Sequence, residues 1–312
     1  MTLRIGVDIG GTNCRIGVFD DLILLKDYRV EKNLSQTCRQ VMPEHVNMEI
    51  VRLLGEELAF LLAEYPEVET IGIGFPGFIH PQTQIIAQSP NLVGLKNLHL
   101  AADLSEYLGK KYLGKKVMVE NDALAAAYGE YCLLQPSVTS LIYIGLGTGV
   151  GGGLVLNGKP FTGENGVAME FGHLIVEPNG RPCGCGNVGC LEQYASATGV
   201  SNSYFELTKQ ILNGFEMAKM AETGDQAAQT AFALAGSKLG QAVAHLQKIV
   251  DVSNLVIGGG LSGAWAHMQA SFNAQLNQDL IPVLRGKIQV NISTANDTAG
   301  MLGAAMLATL TN

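Results

Sequence analysis

Residues 3–18 read LRIGVDIGGTNCRIGV, and this stretch decides the fold. Apolar residues alternate from Leu3 to Ile9, the pattern breaks at 10–13, and the alternation then resumes. A period of two on both sides of a tight glycine turn predicts a β-hairpin.

A second stretch repeats this design, because residues 141–156 read LIYIGLGTGVGGGLVL. Thr12 and Thr148 occupy the same place in the two turns. The repetition indicates a duplicated chain in which one Gly-Thr hairpin opens each half. Strand patterns alternate with helical spacings elsewhere, including helices expected near 197–223 and 225–249, which predicts α/β layers in each half.

The composition is that of two folded domains. The chain has 312 residues, of which 47% are hydrophobic and 15% charged, with a formal net charge of -8. We expect no nucleic acid and no membrane as partner, because phosphate surfaces are held by clustered cations. No apolar stretch reaches the roughly 20 residues of a membrane span, and Asp8 interrupts the first one, so we expect a cytoplasmic protein.

Glycine is in excess, and the 38 glycines cluster at 10–11, 145–153 and 258–260, where predicted strands end. Such loops can direct successive backbone N–H groups at a phosphate chain, although a glycine-rich turn is also ordinary. The matching threonines favour phosphate binding. Gly258, Gly260 and Gly263 also fit G-x-G-x-x-G between a strand and a helix, which leaves a nicotinamide-nucleotide site open.

Two aspartates stand near the ends of predicted strands. Asp8 could bind a metal ion that bridges phosphates, or cap its turn. Asp122 follows a strand at 117–119 and precedes a predicted helix at 123–132, so it could be the helix N-cap, a catalytic base, or both. As a base it would accept a proton from a substrate hydroxyl as that oxygen attacks phosphorus.

Four potential metal ligands lie close together in the sequence: His173, Cys183, Cys185 and Cys190. This set matches a closed tetrahedral zinc site, which has no open position for water and is therefore structural. Free buried cysteines or one disulfide are the alternatives, and a reducing compartment disfavours the disulfide. Glu170 and Glu192 flank this segment and could hold the hydroxyls of a polyol, or simply be solvated surface residues.

Together these motifs resemble those of the ROK family, which groups sugar kinases with sugar-responsive repressors. The matching segments are 8–12 and 145–153 for phosphates, 90–92 for the sugar, 120–123 for catalysis, 170–192 for zinc and sugar, and 256–260 for adenosine. The resemblance implies an α/β, duplicated ribonuclease-H-like fold of two domains, like actin and hexokinase, with a zinc-binding loop. We expect residues 1–117 and a C-terminal helix at 299–312 to form the smaller domain, and 118–298 to form the larger domain with the zinc site.

The resemblance also implies Mg-ATP-dependent phosphorylation of a hexose at its 6-hydroxyl, with Asp122 as the catalytic base. The sugar would be held by Gly77, Asn91, Asn121, Asp122, Glu170, His173 and Glu192. ATP would be held by Asp8, Gly10, Gly11, Thr12, Asn13, Gly147, Thr148, Gly149, Gly259 and Gly260. A structural zinc would be held by His173, Cys183, Cys185 and Cys190, which leaves the second nitrogen of His173 for a sugar hydroxyl. A homodimer is expected because dimers are common in the family.

The glucokinase branch matches best, through Asn91-Leu92 and residues 176–180. Kinases for N-acetylmannosamine or N-acetylglucosamine share the catalytic motifs, and a sugar-sensing binding protein is the non-enzyme alternative. Family repressors carry a DNA-binding domain ahead of the first phosphate motif, for which the position of Asp8 leaves no room, so we expect an enzyme. Met169 replaces a glycine of the family pattern and could narrow the sugar pocket.

Overall fold

The computed structural model describes residues 2–10, 13–109, 114–295 and 298–310 of the chain. The strands are β1 (Leu3–Ile9), β2 (Cys14–Asp20), β3 (Ile23–Val30), β4 (Val68–Phe75), β5 (Phe78–Ile79), β6 (Ile86–Gln88), β7 (Lys116–Asn121), β8 (Leu141–Leu146), β9 (Val150–Leu156), β10 (Lys159–Pro160), β11 (Asn254–Gly258) and β12 (Gln289–Ile292). The helices are α1 (Leu34–Gln40), α2 (Val46–Glu64), α3 (Leu100–Leu108), α4 (Asp122–Leu134), α5 (Glu192–Ala195), α6 (Ala197–Thr208), α7 (Gly214–Glu222), α8 (Gln226–Val250), α9 (Trp265–Asp279) and α10 (Thr298–Leu307). None of the described helices is both long and apolar enough to cross a membrane.

Two five-stranded sheets share one topology, which confirms the predicted duplication. The strand order is β3-β2-β1-β4-β7 in the first sheet and β10-β9-β8-β11-β12 in the second. In the first sheet β1 and β2 are antiparallel, and β4 and β7 continue from β1 in parallel. In the second, β8, β11 and β12 are parallel neighbours in the same relative places. The α/β fold class is therefore as the sequence predicts.

The chain divides into two compact units. The first comprises 1–139, 153–168 and 297–312, and the second comprises 140–152 and 169–296. This division differs from the predicted boundary at residue 117, because α4 packs tightly on α10 within the first unit. A side chain at Gly129 of α4 would collide with the carbonyl of Ala299, and one at Gly303 of α10 would collide with that of Ala125.

The first sheet is covered on both faces within its unit. Ile5 and Val7 of β1 belong to the same buried apolar cluster as Leu54 of α2 and Leu104 of α3. On the opposite face, a side chain at Gly6 would collide with the carbonyl of Met301, so α10 lies directly on the strand. Burial on both faces explains why β1 tolerates an almost wholly apolar sequence.

The second unit differs from expectation where one helix was predicted over 197–223. The structure has α6 and α7 there instead. Lys209 ends α6 in the left-handed conformation, with φ of +63°. Asn213 and Glu216 then form a capping box that begins α7, because each side chain accepts from the other residue's backbone N–H.

Candidate functional site

The first hairpin turn is closed by its own backbone. The N–H of Gly10 donates to the carbonyl of Asn13 at 2.8 Å. The Asn13 side-chain oxygen accepts from Arg29 Nη2 at 2.7 Å, which fixes the far side of the turn. The predicted nucleotide residues Gly11 and Thr12 lie outside the described residues. Asp8 stands at the end of β1, just before this turn.

A glycine on α10 makes room for the carboxylate of Asp8. A Cβ added at Gly300 would lie 2.7 Å from both Cγ and Oδ2 of Asp8. Gly300 belongs to the first turn of α10, where backbone N–H groups carry a partial positive charge that favours a carboxylate. The position of Asp8 thus depends on the absence of a side chain at residue 300.

The second hairpin turn is braced by a helix as well as by itself. The N–H of Gly147 donates to the carbonyl of Gly149 at 2.9 Å. The first turn of α6 holds the same loop from outside, through Ala197 N to Gly147 O at 2.9 Å and Thr198 Oγ1 to Thr148 O at 3.0 Å. These bonds take up two loop carbonyls.

The glycine run after β11 lies against this second hairpin. Gly259 has φ of +81°, and a Cβ there would collide with the backbone of Leu146, at the end of β8. Gly260 is exposed, and a Cβ added there would have no described atom within 4 Å. A 3-10 turn at 260–264 and α9 follow, so the G-x-G-x-x-G run does lead from a strand towards a helix.

Asn121 and Asp122 lie where β7 passes into α4. Asn121 is the N-cap, because its side-chain oxygen accepts the N–H of Leu124 at 3.1 Å. The suggestion that Asp122 is the cap is therefore wrong; Asp122 is the first residue of the helix, and its Oδ1 accepts the N–H of Ala123 at 2.8 Å. The helix N-terminus favours the ionised form of a carboxylate held in this way.

Two other predicted sugar residues belong to the same unit as Asn121. Asn121 Nδ2 donates to the carbonyl of Gly77 at 3.3 Å, so these two residues are brought together. Gly77 is buried, and a Cβ there would lie 2.7 Å from the carbonyl of Gln88. Asn91 has an exposed side chain, and its backbone carbonyl accepts from Ser35 Oγ at 2.9 Å.

A buried acid that the sequence analysis did not single out precedes this pair. Glu120 is only 9% exposed, and burial raises its pKa to about 7. The N–H of Asn121 donates to Glu120 Oε1 at 2.8 Å and opposes that shift. Its position on a strand end with three polar residues in succession was the available sequence signal.

The four predicted metal ligands converge, with all donor atoms within 4.8 Å of one another. Cys185 Sγ and Cys190 Sγ are 3.6 Å apart, and Cys183 Sγ is 3.7 Å from His173 Nδ1. Tetrahedral zinc with ordinary bond lengths would separate two sulfurs by about 3.8 Å, and sulfur from nitrogen by about 3.6 Å. The residues present therefore fit zinc. A hydrogen bond from the N–H of Asn187 lowers the pKa of Cys185, which favours the thiolate that a metal needs.

His173 connects this cluster with Glu170. Its Nδ1 faces the thiols, while its Nε2 lies 3.7 Å from Glu170 Oε2. Burial raises the pKa of Glu170, the charge of Glu192 acts in the same direction, and His173 opposes both. Met169, directly before Glu170, has a left-handed backbone with φ of +63°, which is strained for a residue that is not glycine.

Both glutamates are attached to the start of β9. Glu192 Oε2 accepts the N–H of Val150 at 3.1 Å. The segment that carries Glu170 lies on the same strand, because a Cβ at Gly152 would lie 2.6 Å from the carbonyl of Met169. The carboxylates predicted for the sugar are thus anchored where the second glycine loop ends.

Sequence reasoning also missed two residues around the cysteine loop. Gln193 Nε2 lies 3.6 Å from Cys183 Sγ, as a donor to that sulfur. Arg181 contacts the backbone of α5 and α6. No local pattern identifies either residue, because their partners come together only in the folded chain.

The comparisons with known proteins agree on one family. Residues 4–310 match the family described as the ROK family. The chain is 32% identical to a glucokinase of Thermotoga maritima, over 97% of this chain and 96% of that protein. It is 33% identical to an N-acetyl-D-glucosamine kinase of Salmonella paratyphi B, over 97% of this chain and 98% of that protein.

A solved structure matches the fold over the same extent. It is a ROK family glucokinase from Streptomyces griseus in complex with glucose and AMPPNP, with a TM-score of 0.77 and 30% sequence identity. The match covers 98% of each chain.

Proposed function

The chain belongs to the ROK family, and on that premise we propose that it is an ATP-dependent sugar kinase that phosphorylates glucose at the 6-hydroxyl. The observation that carries the proposal is the Asn121-Asp122 pair at the start of α4. It presents a carboxylate on a helix N-terminus, beside an amide held by the carbonyl of Gly77.

Asp122 is the proposed general base. The 6-hydroxyl oxygen attacks the γ-phosphorus of ATP, the bond to the β–γ bridging oxygen breaks, and ADP leaves. The hydroxyl proton passes to the Asp122 carboxylate as the new bond forms. The N-cap at Asn121 keeps this carboxylate in place, so that little reorganisation is needed during the reaction.

The sugar hydroxyls need several fixed hydrogen-bond partners. We assign this role to Gly77, Asn91, Asn121, Asp122, Glu170, His173 and Glu192. His173 supports the assignment, because its Nδ1 faces the thiols and its Nε2 faces Glu170. An imidazole fixed through one nitrogen can offer the other to a hydroxyl in a single orientation.

The nucleotide phosphates are assigned to the two glycine turns: Gly10, Gly11, Thr12 and Asn13 in the first, and Gly147, Thr148 and Gly149 in the second. Gly259 and Gly260 are assigned to the adenosine. Asp8 would hold the Mg²⁺ that accompanies ATP, and that ion would neutralise charge on the transferred phosphoryl group. The exposed backbone at Gly260 is open to a ligand.

Zinc in the cysteine cluster would be structural, since four protein ligands leave no open position. When bound, the metal supplies a fixed anchor for His173 and for the loop that leads to Glu192. The expected homodimer stays a prediction.

The second candidate substrate is an N-acetyl hexosamine. It is favoured by the similarity to the N-acetyl-D-glucosamine kinase, which is as high as that to the glucokinase. A sugar-sensing protein is the non-enzyme candidate, and it would bind sugar without releasing ADP. The nicotinamide alternative lacks the acid expected on the next strand, because β12 ends at Ile292.

The test is a coupled ADP-release assay with MgATP and glucose, mannose, fructose, N-acetylglucosamine or N-acetylmannosamine. The proposal expects the highest kcat/KM with glucose. A higher value with an N-acetyl hexosamine would select the second candidate substrate. No turnover with any of these sugars would exclude the kinase.

A further inference from the structure

Arg181 stands at the entrance of the cysteine loop and reaches both α5 and α6. Its Nη1 donates to the carbonyl of Gln193 in α5 at 2.6 Å and to that of Gly199 in α6 at 3.1 Å. Its Nη2 donates to Ser203 Oγ at 3.0 Å. The guanidinium also lies 4.7 Å above the ring of Tyr194. All three nitrogens have partners, and a lysine cannot reproduce this fork.

The backbone of Arg181 belongs to the cysteine loop itself. Its carbonyl accepts the N–H of Gly189 at 2.8 Å, and its N–H donates to Tyr194 Oη at 2.9 Å. Pro182 and Val188 then form an isolated β-bridge next to the cysteines. One residue therefore links the cysteine loop with two helices.

The helices α5 and α6 form one rigid corner. Ser196 Oγ donates to the carbonyl of Glu192 at 2.6 Å and accepts the N–H of Gly199 at 2.9 Å. A Cβ at Gly199 would lie 2.6 Å from the nitrogen of Tyr194, so the helices approach as closely as a glycine allows. This close approach places the two carbonyls that Arg181 binds side by side.

The other side of this corner holds the second glycine loop. Ala197 and Thr198 bind the carbonyls of Gly147 and Thr148, and Glu192 binds the N–H of Val150. These contacts leave from the same helices that Arg181 grips. A rotation of the corner would therefore move the loop.

We propose that Arg181 is a positioning residue that keeps the second glycine loop in its nucleotide-binding shape, by fixing the α5–α6 corner to the cysteine loop. The inference rests on the proposed function only for the identity of the ligand. Its structural part concerns the order of residues 145–150 and can be measured without nucleotide.

The ion pair with Glu206 provides a matched control. Glu206 accepts from Arg181 Nε at 2.8 Å and from Nη2 at 2.7 Å, but its side chain is 59% exposed. Exposed ion pairs contribute little, so Glu206→Gln should leave the corner intact. Arg181→Met removes every side-chain donor, and Arg181→Lys is a milder variant if the first folds poorly.

The experiment uses the full zinc-loaded chain at 25 °C. Hydrogen exchange is measured on peptides that cover residues 145–150, and the affinity for MgADP is measured by calorimetry without sugar. For Arg181→Met we expect loop exchange to rise and MgADP affinity to fall, each by about tenfold, which is the size of one charge-assisted hydrogen bond. Zinc content should stay at the wild-type level, Arg181→Lys should lie between, and Glu206→Gln should stay within about twofold.

Wild-type loop exchange in folded Arg181→Met or Arg181→Lys would overturn the inference, even if the melting temperature falls. Equal effects in Glu206→Gln would overturn it as well, because they would assign the effect to the surface ion pair. If wild type binds no MgADP, the proposed function fails, while loop exchange alone still decides the role of Arg181.

Discussion

The two glycine hairpins occupy the same place in two sheets of the same topology, yet they are held in different ways. The first closes through Gly10 and Asn13 and stands beside Asp8. The second is braced by α5 and α6, which also carry Glu192. Duplication thus supplied one turn twice, and the surrounding helices gave each copy a separate task.

The strands at matching places differ in the same sense. β7 runs into Asn121 and Asp122, whereas its counterpart β12 ends at Ile292 and is followed by Ser293. The proposed base therefore exists in one half only. The second half carries instead the cysteine cluster, which the first half lacks among its described residues.

The largest expected effect comes from the residue that breaks this symmetry. Asp122→Asn should lower kcat on the order of 10² to 10⁴, because the amide cannot accept the hydroxyl proton. The control is Asp103→Asn, which changes a partly exposed aspartate in the first turn of α3 and should leave kcat unchanged. Steady-state kinetics at saturating sugar measures both. Unchanged turnover in Asp122→Asn would remove it from the mechanism.

Removal of zinc should affect the second half alone. Chelation, or Cys185→Ser, should lower kcat/KM for the sugar on the order of 10²-fold, because His173 and the Glu192 segment lose their anchor. Hydrogen exchange should rise over residues 170–195 and stay unchanged over β1 and β2. Cys38→Ser, a buried cysteine outside the cluster, should keep the metal. A metal-free protein with full activity would contradict this assignment.

The buried acid on β7 should make stability depend on pH. Burial raises the pKa of Glu120 from 4.5 to about 7, so the folded state binds a proton more tightly than the unfolded state. Its contribution is complete below pH 4.5 and is lost as pH rises through 7, by up to roughly 3 kcal/mol. Urea unfolding at several pH values should show a flatter profile for Glu120→Gln. Parallel profiles for the two proteins would show that Glu120 titrates normally.

The smallest effects should separate the two hairpins by ligand. Gly300→Ala would displace the carboxylate of Asp8, and Gly149→Ala would displace that of Glu192. We expect the first to raise KM for MgATP and the second to raise KM mainly for the sugar, each by about tenfold. Alanine is favoured in a helix by about 1 kcal/mol, so a raised KM without lower stability in Gly300→Ala marks a moved carboxylate. The same KM pattern in both variants would erase the distinction.

Much of the fold could be predicted because its signals are local. Alternating apolar residues around Gly10 and Gly147 gave both hairpins, and the spacing of residues 44–65 gave the helix observed as α2. The edge strand β3 has no such signal, because it alternates charged and apolar residues that remain partly exposed. The break between α6 and α7 was readable from Asn213 and Glu216, whose spacing is that of a capping box.

The site was predictable where its residues are neighbours in the sequence. The cysteines and His173 lie within one short segment, and Asn121 and Asp122 are adjacent. The link from Glu192 to Val150 spans 42 residues and depends on how α5 lies against the second sheet. No sequence pattern records such a contact, which is also why Arg181 was missed.

The central claim is that one phosphoryl group passes to the sugar for each ADP released. Phosphorus NMR of the zinc-loaded protein with MgATP and glucose tests it directly. The account predicts equal amounts of ADP and of a sugar phosphate whose phosphorus couples to the protons on carbon 6. ATP that remains intact while the sugar is bound, or ADP that appears only with inorganic phosphate, would contradict it.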